Sequence, residues 1–270
     1  MTTRAEAPVS DSPRALRQRV QAAEMAMTVL RGLARLGGRA SLSALAEHVS
    51  ESPAKVHRYL ASLIETELVA QDPLSQQYWL AAPAIDIGLA AMRQLEPIRL
   101  AEPALQALRE RLGVTCFLAV MGNHGPTIVR FEEPVLPVTV NVRAGSVLSL
   151  LWSATGRAFL GANHDAHLDA MAAAELAASS RERRSLLDAK DPIGVLRREV
   201  RERACACVRD TNLPGISAVA APLVDYTGRA GAVLTALGAS GGFDADPAGP
   251  IAQAVRDAAR AVSRALGQTL

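Results

Sequence analysis

The stretch that most constrains this 270-residue chain is residues 20–80, where three helical periods and two short β-type runs follow one another with little room for connections. From Val20 to Leu36, apolar residues recur at helical spacing (Ala22, Met25, Ala26, Val29, Leu33, Leu36), and Gly37-Gly38 ends that helix. Ser41 is placed to cap a short second helix through Leu42, Leu45 and Val49. Ser50-Glu51-Ser52-Pro53 then opens a third, with Ser52 as cap and Pro53 at the first helical position, where its missing N–H costs nothing. Val56, Leu60 and Leu63 form its buried stripe. Leu68-Val69-Ala70 and Tyr78-Trp79-Leu80 flank a turn at Asp72-Pro73-Leu74-Ser75, which reads as a β-hairpin. Three short helices and a hairpin make the winged helix-turn-helix layout; another small α+β module is the alternative that the pattern allows.

The remainder reads as a second domain. Pro83 to Gln94 is a connecting helix, and Pro97 breaks it. Leu100 to Leu112 is a further helix closed by Gly113. Val114 to Met121 and Thr127 to Glu132 are strand-like around Gly122-Asn123-His124-Gly125, and Val138 to Arg143 alternates as a third strand. Helical segments fill roughly Thr155 to Val208; Ser217 to Val224 and Ala230 to Leu237 are strands meeting at Tyr226-Thr227-Gly228, and Ile251 to Leu266 is a last helix. The expected fold class is therefore α+β. Its parts are a disordered arm over 1–18, a winged helix-turn-helix over 19–81, a linker helix over 82–97, and a mixed α+β domain with a central antiparallel sheet over 98–270.

Composition narrows the partners. Apolar residues are 49% and charged residues 21%, a soluble globular profile, and the net charge of +2 selects no partner by itself. Residues 1–80 carry nine Arg or Lys against eight Asp or Glu, so DNA affinity must come from the placement of charge. Cys116, Cys205 and Cys207 are odd in number and lack framework spacing, which favours a reducing cytosol. The polar first 19 residues lack a signal-peptide core, and no uncharged apolar run reaches the roughly 18 residues of a membrane span. A cytoplasmic protein without a membrane partner is expected.

Several segments resemble the IclR family of bacterial regulators from about residue 20 onward. They are Ser41-Leu42-Ser43-Ala44-Leu45-Ala46-Glu47 with Ser52 through Leu60, the wing at Asp72-Pro73 and Tyr78-Trp79-Leu80, Ala154 through Leu160, and Gly215 through Asp225. The sequence departs from the family where a glycine usually precedes the recognition helix (Ser50), where an acidic residue follows Gly113 (Val114), and where a lysine follows Gly156 (Arg157). The resemblance implies a DNA-binding transcription regulator with a GAF-like, effector-binding C-terminal domain and no cofactor. It implies homodimers through the N-terminal domains and homotetramers through further contacts. It leaves repressor and activator open, the latter with RNA polymerase as a partner.

In a helix-turn-helix, the N-terminal residues of the second helix enter the major groove of double-stranded operator DNA. On a helix starting at Pro53, Lys55 and Arg58 share a face away from the apolar stripe. Arg58 suits a bidentate bond to guanine and Lys55 a base or phosphate, while Ser43 and His57 can reach the backbone. Ser52 and Ala54 complete the candidate DNA-binding set, and an ordinary solvated helix face is the alternative. The resemblance places an effector pocket at Val140, Leu148, Ala154, Thr155, Val208, Ile216, Ala218, Thr235 and Leu237; Arg143 is a candidate counter-ion if the ligand is a carboxylate. So apolar a lining suits a small aromatic or branched organic effector; simple core packing is the alternative. Cys205-Ala206-Cys207 is too close for a usual zinc pair, and His164-x-x-His167 lacks the glutamate of a zinc protease, so no metal or catalytic residue is assigned. A small-molecule-binding enzyme with a fused helical domain, and a DNA-binding scaffold without effector, are the competing functions.

Overall fold

In the computed structural model, which describes residues 20–93, 96–134 and 142–268, the N-terminal helices begin and end where capping chemistry dictates. α1 (Gln21–Arg35) stops before Gly37 and Gly38, both at φ +82°. A two-residue strand β1 (Arg39–Ala40) follows, too short to leave a period in the sequence. α2 (Leu42–His48) is capped by Ser41, whose Oγ accepts from Ala44 N at 3.3 Å. α3 (Pro53–Glu65) is capped by Ser52 Oγ, which accepts from Lys55 N at 3.4 Å. Between them Ser50 sits at φ +54°, the left-handed region that glycine enters freely. β2 (Val69–Gln71) and β3 (Tyr78–Leu80) pair antiparallel, and β1 adds to β3 so that the order is β1-β3-β2. Val29, Leu33, Leu45, Val56, Leu60, Leu63, Val69 and Tyr78 form the core they enclose. α4 (Ala82–Arg93) follows.

The chain divides into two compact units, Met1–Gln94 and Leu95–Leu270. The second opens with α5 (Pro97–Leu112), which begins at Pro97 itself because proline suits the first helical position, and Gly113 at φ +61° ends it. β4 (Thr115–Gly122) and β5 (Gly125–Glu132) form a hairpin. Then come α6 (Ala154–Ala162), α7 (Ala166–Ala178), α8 (Arg181–Arg184) and α9 (Pro192–Arg203). The helical reading to Val208 ends early: Ala204 turns left-handed at φ +53°, and β6 (Ala206–Arg209) pairs with β7 (Ile216–Val224). β8 (Ala230–Ala239) and α10 (Pro250–Ala265) complete the unit. Of the expected strand at 138–143, residues 138–141 lie outside the described residues, and 142 and 143 are not in a strand. The sheet is antiparallel throughout, in the order β5-β4-β8-β7-β6. α5 and α10 pack on one face, with Leu105, Leu118, Leu223, Leu234 and Val255 among the buried side chains. α6 and α9 cover the other, with Phe117, Phe159, Val200 and Val233. No helix among the described residues is long and apolar enough to cross a membrane.

Close packing fixes α6. A Cβ on Gly156 would stand 2.2 Å from the Ser149 carbonyl oxygen and 2.4 Å from Leu150 Cα. Asn163 ties the other end to β8, donating to Ala230 O at 3.0 Å and accepting from Ala230 N at 2.9 Å. Gly156→Ala should therefore destabilise the protein by about 1–3 kcal/mol through overpacking, whereas Ser50→Gly should stabilise it by about 1 kcal/mol by relieving a left-handed residue. Urea unfolding of both variants beside the parent checks the opposite signs.

Candidate functional site

In the first unit, α3 buries Val56, Leu60 and Leu63 and turns Ala54, His57 and Arg58 to solvent, so the helix has one apolar and one polar face. Ser52 is exposed but its Oγ is committed to the cap, and Ser43 is exposed on the first turn of α2. Lys55 is not free: its Nζ bonds Glu51 Oε1 at 2.7 Å, which neutralises its charge locally. Arg58 makes no ion pair among the described residues. Glu51, overlooked in reading the sequence for cations, sits four residues before Lys55, the spacing that brings helical neighbours together. In the hairpin, Asp72 Oδ1 accepts from Leu74 N at 2.8 Å and Ser75 N at 3.1 Å, bonds that hold its carboxyl below the usual range. The turn leaves Leu74 94% exposed, while the Arg39 guanidinium lies 5.1 Å from the Trp79 ring centroid.

In the second unit, a cavity of about 40 Å³ lies between the sheet and the N-terminus of α6. Leu148, Ala154, Thr155, Val208, Ile216, Ala218, Thr235 and Leu237 all line it. Strand alternation explains why: Val208, Ala218, Thr235 and Leu237 occupy same-facing positions of β6, β7 and β8, and Val208 is registered with Ala218 and Ala218 with Leu237. Phe117, registered with Thr235, belongs to the same face and was legible from that alternation. Val142, Ser153, Asn212 and Leu213 also line the cavity from segments without periodicity, and nothing in their spacing marks them. Val140 lies outside the described residues. Arg143 is exposed and is not among the lining residues; its backbone N–H bonds Ser146 Oγ at 3.0 Å.

The polar groups of the cavity are largely engaged. The Thr155 and Thr235 hydroxyls bond each other at 2.9 Å. Ser153 Oγ accepts from Gly156 N at 2.9 Å as the α6 cap and donates to Ser149 O at 2.6 Å. Glu175 supports that turn from α7, accepting from the Ser149 hydroxyl and, at 2.8 Å, from Leu150 N. Ala154 and Thr155 are the first two residues of α6, so the amides of this turn present the positive end of the helix to the cavity. Thr155→Val and Thr235→Val should each cost about 1–3 kcal/mol by stranding the partner hydroxyl, and the double variant should cost less than the sum. Denaturant unfolding of the four proteins measures the coupling.

Comparison with known proteins follows the same division. Residues 22–73 match the family model "IclR helix-turn-helix domain", and residues 89–264 match "Bacterial transcriptional regulator IclR C-terminal". Among solved structures, Pseudomonas aeruginosa HmgR is 37% identical, with a TM-score of 0.81 over 92% of this chain and 98% of that one. The HTH-type transcriptional regulator BhcR of Paracoccus denitrificans is 25% identical over 90% of this chain and 86% of its own. The DNA-binding transcriptional repressor YiaJ of Escherichia coli is 25% identical over 85% of this chain and 82% of its own.

Proposed function

We propose that this chain, which belongs to the IclR family of bacterial transcriptional regulators, reads its operator through the first turns of α3 and answers to a small organic acid held beneath α6. Membership makes it a DNA-binding regulator with a C-terminal effector-binding domain, and not an enzyme. The observation that carries the ligand reading is the chemistry of the lining. Its described side chains include no carboxylate, imidazole or thiol, so none there could serve as the base that activates a hydroxyl nucleophile. Apolar walls, two threonine hydroxyls, Asn212 and the α6 amides suit holding and orienting an apolar, carboxylate-bearing molecule.

About 40 Å³ takes little more than water, whereas benzene occupies a cavity of about 150 Å³. The effector therefore selects a more open form of this unit, and its preference for that form is the free energy available for control. On the DNA side, one recognition helix spans too few bases for genomic selectivity, so copies of the chain act together on related half-sites. Exposed apolar residues at the start of α1 and along α4 (Val20, Met27, Ile85, Ile87 and Leu89) support pairing into a dimer, or a pair of dimers.

Arg58→Ala should weaken operator binding by about 1–3 kcal/mol and relax base choice at one position per half-site. Glu51→Gln, by releasing Lys55, should strengthen binding to all sequences and steepen its salt dependence. Gel-shift titrations over a salt series test both, and an unchanged affinity in both variants rejects this helix as the reader. For the cavity, a thermal-shift screen of the intact chain against aromatic and branched carboxylic acids should find a stabilising ligand that also changes operator affinity. Ala218→Leu should abolish that response while leaving DNA binding intact. Consumption of the ligand would reject the regulator reading, and a panel without any response would reject the effector class.

A further inference from the structure

Cys205 directly precedes β6 and Cys207 is its second residue, and both pack into the core on the α5–α10 side of the sheet. Both thiols therefore turn towards α10, away from the cavity, and stand 4.0 Å apart from sulfur to sulfur. Arg256 of α10 is fixed against Cys205. Its Nη1 donates to Cys205 Sγ at 3.3 Å and to Pro247 O at 2.7 Å, and its Nη2 donates to Gln253 Oε1 at 2.9 Å. Cys205 is closed off at 1% exposure, while Cys207 is half-buried and lines a groove of about 570 Å³ with Arg203, Arg209, Asp244 and Asp246.

This differs in kind from Cys116, whose thiol is pushed up to about 12 by burial. The hydrogen bond from Cys207 brings Cys205 down to about 6 against the opposing effect of burial, with Arg256 and Arg203 adding to the lowering, and Cys207, which holds the proton, is pushed up. In such a pair the groove-facing sulfur meets the oxidant, while its low-lying neighbour takes up the proton and then serves as the resolving thiolate. A guanidinium on the sulfur opposes a metal cation but favours thiolate.

We propose that Cys205 and Cys207 form a redox-active dithiol, positioned by Arg256, which a hydroperoxide entering the groove oxidises to an intramolecular disulfide. The proton of the pair passes to Cys205 as the Cys207 sulfur attacks one oxygen of ROOH. The O–O bond breaks, leaving Cys207 as sulfenic acid, and the departing alkoxide takes the proton from Cys205 to become ROH. The Cys205 thiolate then attacks the Cys207 sulfur; the S–S bond forms, and hydroxide leaves and is protonated to water. The two sulfurs lose two electrons, and the hydroperoxide gains them. Along an extended strand, Cα atoms two apart stand about 6.4–6.8 Å from each other, at the upper limit of about 6.8 Å for a disulfide. Closure therefore draws Cys205 slightly inward, next to the left-handed Ala204 that precedes the strand.

The test uses the full-length reduced protein and hydrogen peroxide, followed by intact mass, thiol counting in denaturant and non-reducing gels. The expected product is monomeric by gel, lighter by two hydrogen atoms, short of two of its three thiols with Cys116 intact, and restored by dithiothreitol. Cys205→Ser should leave a sulfenic acid at Cys207 that dimedone captures, and Cys207→Ser should leave Cys205 unreactive. Arg256→Gln should slow disulfide formation about tenfold at neutral pH, and Arg256→Lys should recover part of that rate, with circular dichroism confirming a native fold in each. Three surviving thiols under peroxide that oxidises free glutathione would overturn the proposal. So would oxygen addition without loss of two hydrogens, a disulfide between chains, or a folded Arg256→Gln that reacts at the parent rate.

Discussion

The sheet of the second unit is buried on both faces at its centre, and each side chain there must satisfy one of two different cores. On β8, Ala232, Leu234 and Ala236 meet the α5–α10 layer, while Val233, Thr235 and Leu237 meet the α6 side. With a period of two, a slip of one residue would exchange the two sets. That one constraint places both chemically distinctive features of the unit. Val208 reaches the cavity from one face of β6, while Cys207 and the preceding Cys205 pack on the α10 side, where Arg256 donates to Cys205.

α6 is the element that closes the cavity over this sheet. Its approach depends on Gly156, which lets the helix start against the backbone of Ser149 and Leu150, and on Ser153, which caps it. The same turn lines the cavity with Ser153, Ala154 and Thr155, so close packing and the positive end of the helix arise from one local geometry. The Thr155–Thr235 bond spans helix and sheet at the cavity, which satisfies two buried hydroxyls without charge.

In the first unit the polar face of α3 is less cationic than its residue types suggest. Glu51 holds Lys55, leaving Arg58 as the exposed, unpaired cation of that helix among the described residues. An arginine there favours directed, bidentate contact over diffuse attraction, in keeping with the near-neutral balance of residues 1–80. Ser50 enters α3 through the left-handed region, a backbone path that glycine would take with less strain.

Local chemistry alone determined much of this protein: the Ser41 and Ser52 caps, the Gly37-Gly38 stop, the Val56-Leu60-Leu63 stripe and the strands β7 and β8 around their turn could all be read from residues a few positions apart. Such signals act within a turn or a strand, so they survive without knowledge of the fold. Tertiary structure decided the rest. β1 is strand only because β3 lies beside it; Ala206–Arg209 is strand because β7 pairs with it; Asn212 and Leu213 reach the cavity through an aperiodic loop. Arg256 meets Cys205 across 51 residues of chain, and Thr155 meets Thr235 across 80. Contacts of that range leave no period in a sequence, because chain folding alone sets the distance between such residues.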